Sequence, residues 1–210
     1  MDTAFQTLAL KLGIQLPERF SALLDLAHSG TGAMRSVEDL FWLDAEEAER
    51  EIDEWLNPED QQGRTFLPFA NNGSGEPWCF VQLETGMAGI TQALHYGQLT
   101  SLAHTDISSW VASQYIGLAT DVTRLSHQKD VGMALMHEGQ SLHPVLLPAD
   151  CALLADLFSR PCVALAFKDG PRSLPRTVNA FISREEEKAL LQRLEQPAPI
   201  EFAVLRDWMR

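Results

Sequence analysis

An α+β fold is what this sequence predicts: N-terminal helices packed on a mainly antiparallel sheet, then a second α+β region. Three observations carry that expectation. Helical periodicity fills the stretch before Pro58, a hairpin signal occupies Thr65–Leu83, and strand and helix signals recur beyond residue 122. Helices, antiparallel strands and a closing helix follow one another in blocks, unlike alternating βαβ units.

The first helix is predicted over residues 3–12, where Phe5, Leu8 and Leu12 share a face. Pro17 then sits where a first helical turn accepts proline, and Phe20, Leu23, Leu24 and Ala27 line one side. His28-Ser29-Gly30-Thr31-Gly32 ends that helix. Asp44 and Glu47 form a capping box for a third helix, which runs through Leu56 with Ala45, Ala48, Ile52, Trp55 and Leu56 as its apolar stripe. Pro58 and Gly63 stop it.

Thr65–Phe69 and Trp78–Leu83 are β-prone runs joined by Ala70-Asn71-Asn72-Gly73-Ser74-Gly75-Glu76-Pro77. Asn and Gly tolerate positive φ, and Pro77 needs no ladder donor, so the segment reads as a hairpin. Residues 88–103 read as strand pieces around a turn near Gly97. A helix capped by Thr105 or Asp106 follows, with Ile107, Trp110, Val111, Gln114, Tyr115 and Leu118 facing inward.

Beyond residue 121 the pattern is strand, strand, helix, twice. Val131–Met136 and Pro144–Leu147 are the first strand pair, before a helix over Asp150–Phe158. Cys162–Phe167 and Arg176–Ile182 are the second, around Lys168-Asp169-Gly170-Pro171. Ser183 and Glu186 cap the final helix. The segments MALMHEGQ and ALAFKDGP align at Gly139 and Gly170, which suggests either a duplicated unit or a chance likeness between amphipathic hairpins. The apolar tail IEFAVLRDWMR is expected to pack onto one of the modules.

The 210 residues are 45% hydrophobic and 21% charged, ordinary values for a globular chain. No apolar run approaches the ~18 residues of a membrane helix, and Met1–Gly13 lacks the order of a secretory signal. Three cysteines, Cys79, Cys151 and Cys162, do not make a disulfide framework. The expected compartment is the cytoplasm.

All of the net charge of −13 lies in residues 1–121, which hold 5 basic and 18 acidic residues, whereas residues 122–210 hold 11 of each. Glu38–Asp60 alone carries 11 acids against Arg50. Such a field repels nucleic acid and anionic lipid and attracts basic partners. It reads either as a solvated helix face or as a contact surface.

Chemistry is thin. Cys151 or Cys162 with His137 or His143 would need hydrogen-bond reach to make a thiol–imidazole pair, and neither cysteine sits in a nucleophile motif. No metal-ligand spacing supports His137 and His143. The carboxylates of Glu46–Glu54 project from an exposed helix without an apolar pocket to raise one of them. Gly73-Ser74-Gly75 joins strand to strand, so it offers a phosphate no helix N-terminus. The expectation is a protein without catalytic residues, cofactor or metal.

Leu12–Leu24 (LGIQLPERFSALL), Phe66–Phe80 (FLPFANNGSGEPWCF), Ile90–Tyr96 and the helix around Ile107–Leu118 occur in an order that resembles the SUKH superfamily, whose eukaryotic members include a yeast regulator of cell-wall synthesis. The likeness covers residues 1–121 and departs from the family pattern at His28-Ser29-Gly30 and at Gln82-Leu83; residues 122–210 lie outside it. It implies a non-enzymatic α+β domain at 1–121, with 122–210 a second module of unassigned role. Bacterial members look like immunity proteins that neutralise a cognate toxin. Many such toxins are nucleases with basic surfaces, which an acidic inhibitor would be steered onto. On that resemblance Glu46, Glu47, Glu49, Asp53 and Glu54 are the candidate partner-binding residues. The competing readings are a regulatory or scaffolding protein with an endogenous partner, and a thiol hydrolase built on Cys151 or Cys162.

Overall fold

Residues 3–30, 32–94, 99–168 and 173–204 are described by a computed structural model of the chain. Among these residues it is α+β, with helices, a four-stranded antiparallel sheet and two small antiparallel strand pairs. The chain divides into two compact units. Met1–Ala33, Asp39–Ile107 and Glu195–Arg210 form the first; Met34–Glu38 and Ser108–Leu194 form the second. The sequence suggests a boundary after residue 121, but the structural division falls at Ile107/Ser108. The chain also returns to the first unit at its end.

In the first unit, α1 (Thr3–Lys11) and α2 (Glu18–Ala27) form as their apolar spacing dictates, with Phe5, Leu8, Phe20, Leu23 and Leu24 buried. Pro17 is the N-cap of α2 with extended ψ of 145°. β1 (Phe41–Trp42) pairs with β2 (Thr65–Asn71), which forms the expected hairpin with β3 (Pro77–Gln82). The register shifts between Pro68 and Ala70, a bulge where proline has no N–H to offer. Asn72 organises the hairpin loop. Its Oδ1 accepts from the N–H groups of Ser74 and Glu76, both at 2.9 Å, and its amide donates to Glu76 Oε2 at 3.1 Å. A Cβ on Gly73 would lie 3.0 Å from Asp39 Oδ1, so glycine makes room for that carboxylate.

β4 (Ala88–Gln92) completes this sheet. The pleat sends alternate residues to opposite faces. Phe69 and Phe80 meet Phe20 of α2, with ring centroids 5.1 and 5.5 Å apart. Phe66, Cys79 and Val81 join Trp55, Leu56, Leu102, Phe202 and Val204 in a second cluster. β5 (Leu99–Leu102) is paired with β8 (Ile200–Ala203), so part of the apolar tail does pack on a module, the first one. The turn near Gly97 and the residues Tyr96, Asp169, Gly170 and Pro171 lie outside the described residues.

The second unit corrects the sequence reading over its first strand pair. Val131–Met136 is helical, inside α5 (Val131–Ser141), and Pro144–Leu147 is a turn leading into α6 (Pro148–Ser159). Asp130 caps α5 by accepting from the Met133 N–H at 3.0 Å, and Pro148 occupies the first helical turn of α6. MALMHEGQ is therefore helical, whereas Ala164–Phe167 of its aligned counterpart belongs to β6 (Val163–Phe167), paired with β7 (Arg176–Ala180). Among the described residues beyond 121 the strand–strand–helix order occurs once, ending in α7 (Arg184–Leu194). Ser183 Oγ accepts from the Glu186 N–H at 3.2 Å, but the Glu186 carboxylate pairs with Arg160. Glu185 is the acid that bonds the Ser183 side chain; its own backbone N–H first, and then Ser183, hold its carboxyl below the usual value.

α4 (Ile107–Leu118) is buried on nearly every side rather than along one stripe. Ser108, Ser109, Ala112, Ser113 and Ile116 are buried beside the expected Ile107, Trp110, Val111 and Tyr115, while Gln114 and Leu118 are half-buried. A helix enclosed on most sides forms part of a core. Residues 108–118 group with the second unit instead of closing the first. Glu138 on α5 ties this unit together, accepting from the Tyr115 hydroxyl at 2.9 Å and from the Ser36 N–H at 3.1 Å.

Candidate functional site

The candidate acids lie on α3 (Ala45–Glu51) and on the π-helical segment Ile52–Leu56 that continues it. The capping box forms as the sequence predicts. Asp44 Oδ1 accepts from the Glu47 N–H at 2.8 Å, and Glu47 Oε2 accepts from the Asp44 N–H at 2.9 Å. Ala48, Ile52, Trp55 and Leu56 are buried, which pins the opposite face outward. The Trp55 indole donates to Glu51 Oε2 at 2.7 Å across one turn.

The five acids are not equivalent. Glu46, Asp53 and Glu54 are exposed. Glu47 is half-buried and engaged in the cap, and Glu49 is bonded to Lys11 Nζ at 2.9 Å. The Glu49 hydrogen bond and charge, with a smaller contribution from Asp53, hold the Lys11 ammonium above its ordinary pKa. Thr3, Thr7, Lys11, Glu46 and Glu49 line a shallow hollow of about 320 Å³ between α1 and α3. What the arrangement can do chemically is present an anchored negative surface with one lysine already neutralised.

The thiols and imidazoles sit elsewhere. Cys79 is buried in β3, and burial pushes its thiol well above the usual value. His143 and Cys151 line one pocket of the α5–α6 pair, together with Leu135, Leu154 and Phe158. Burial, and then the neighbouring Asp150 charge, raises the Cys151 thiol. Cys162 is exposed, yet partial desolvation raises it as well. These shifts favour the thiol over the thiolate, opposite to what activates a cysteine nucleophile. His137 is exposed on α5 and does not line that pocket.

The sequence reading missed this pocket because it placed strands at 131–136 and 144–147. The available signals were the Asp130 cap and Pro148 at the start of a helix. Among the described residues no three of His, Cys, Asp and Glu converge to hold a metal ion. No helix among them is long and apolar enough to cross a membrane.

Compared with family models, curated proteins and solved structures, the chain matches none.

Proposed function

We propose that this is a binding protein that neutralises a cognate bacterial toxin by non-catalytic contact, acting in the cytoplasm as an immunity protein. The observation that carries the reading is the outward presentation of Glu46, Asp53 and Glu54 from a helix whose other face is buried. A fixed cluster of like charges accelerates encounter with an oppositely charged surface and discriminates against acidic partners. The partner is accordingly a protein with a basic surface, of which a nuclease toxin is the best-fitting class. The SUKH-like sequence pattern supports the same reading.

Co-expression with the products of neighbouring genes tests it. Rescue of growth from a toxic neighbour supports immunity. A growth phenotype in monoculture with no toxic neighbour would instead establish regulation through an endogenous partner.

A further inference from the structure

The pocket between α5 and α6 has a volume of about 190 Å³ and no part in the proposed toxin contact. Its floor is apolar, with Leu135, Leu146, Leu154 and Phe158 all buried. Gln140 and His143, both exposed, and Cys151, half-buried, put polar atoms around it. Among the described residues no Asp, Glu, Lys or Arg lines it.

Gly139 supplies the second observation. It lies inside α5 at a position where φ is not left-handed, and a Cβ there would meet nothing within 4 Å. Gly132 of the same helix is different, because its Cβ would stand 2.6 Å from the Phe158 carbonyl oxygen. Close packing therefore accounts for Gly132 and not for Gly139. Glycine is a poor helix former, so its use at 139 has a cost that neither strain nor crowding explains. Its missing side chain leaves one wall of the pocket open.

We propose that this pocket binds a small uncharged ligand built on one aromatic ring bearing a hydroxyl group. An apolar cavity of about 150 Å³ accommodates benzene, and the larger volume here admits one substituent more. Phe158 and the leucines take the ring; Gln140 or His143 takes the hydroxyl. A charged ligand is disfavoured because the floor offers no partner for a buried charge. The site uses none of Glu46, Asp53 or Glu54, so it stands or falls independently of the toxin contact.

Cys151 provides a local readout, and Cys162 is an exposed control that does not line the pocket. The full chain is alkylated with N-ethylmaleimide, with and without 4-fluorophenol, and modification of each cysteine is followed by peptide mass spectrometry. At roughly 5 mM probe, Cys151 alkylation slows about fivefold, as expected for a fragment with millimolar affinity. Cys162 keeps its rate. Gly139→Leu fills the open wall and abolishes the protection, and Ala155→Trp, which closes the pocket from α6, does the same if the first variant folds poorly. The proposal is overturned if Cys151 gains no protection, if both cysteines are protected equally, or if protection survives in both folded variants.

Discussion

The Ser108 hydroxyl donates to the buried Asp150 carboxylate and accepts the Leu147 N–H at 2.7 Å, so α4 supplies the side-chain cap that α6 lacks in its own sequence. Leu147 stands at the N-cap position and has no capping side chain. The orphan donors of a helix start must find partners, and here one finds a serine from a neighbouring helix.

Ser108→Ala removes both bonds at once. It leaves a carboxylate that is only 7% exposed without this donor. The expected loss is about 2–3 kcal/mol, since an unsatisfied buried charged group costs more than an ordinary hydrogen bond is worth. Urea unfolding of the variant measures it, and a loss below about 0.5 kcal/mol, the range of an ordinary surface substitution, contradicts the capping role.

Stability should fall on acidification because of His104. The residue is 5% exposed, its Nδ1 has no hydrogen-bond partner among the described residues, and burial lowers its pKa to about 4 despite the opposing charge of Asp106. Above pH ~6.5 both folded and unfolded forms are neutral and the group contributes no pH dependence. Between that value and about 4 the unfolded chain takes up a proton that the native imidazole refuses. The native state therefore weakens as pH falls through this window, by at most about 3 kcal/mol. Denaturant midpoints from pH 7 to 4 should show a shallower decline in His104→Leu than in the parent protein.

Two glycines should respond to alanine in opposite senses. At Gly89 a Cβ would stand 2.2 Å from the His104 carbonyl oxygen and 2.9 Å from Leu102 Cδ1, so β4 cannot accept it without displacing backbone. Gly89→Ala is expected to cost about 2–3 kcal/mol, in the range of overpacked cores. Gly139→Ala should instead gain up to about 1 kcal/mol from helix propensity. Thermal unfolding of the pair gives the sign directly.

The acidic face divides into residues that hold the fold and residues that face a partner. Glu46→Lys, Asp53→Lys and Glu54→Lys together should leave stability within about 0.5 kcal/mol of the parent, as surface changes do. They should slow association with a basic toxin by about tenfold or more at low salt, and flatten its salt dependence. Glu47→Lys is a poor substitute in that experiment, because loss of the capping box costs about 1 kcal/mol by itself. Stopped-flow association rates at two ionic strengths check the first claim; an unchanged rate removes the acidic helix from the mechanism.

Legibility in the sequence followed the range of the interactions involved. The hairpin Thr65–Gln82 could be read because Asn72 and Gly73 encode a local turn. The α3 capping box could be read because Asp44 and Glu47 are three residues apart. Val131–Met136 could not be assigned from its apolar content, since a short apolar run suits a strand or a buried helix equally. The Asp130 cap decided it. The all-round burial of α4 was illegible because it depends on what surrounds the helix. The pocket at Cys151 needs α5 and α6 side by side, a relation that no spacing within either segment announces. Of the acidic site, the helix and its five carboxylates were legible, but the diversion of Glu49 to Lys11 depends on α1 lying nearby.

The pairing of β5 with β8 has a consequence for biosynthesis. As the chain leaves the ribosome, Leu99–Leu102 emerges long before Ile200–Ala203, and the whole of Ser108–Leu194 is made in between. Until then Phe66, Cys79 and Val81 lack the cover of Phe202 and Val204. The second unit therefore has the opportunity to fold first, as a loop held between two parts of an unfinished neighbour. Premature termination between Leu102 and Ile200 would leave β5 with an unsatisfied edge, and such edges recruit other chains.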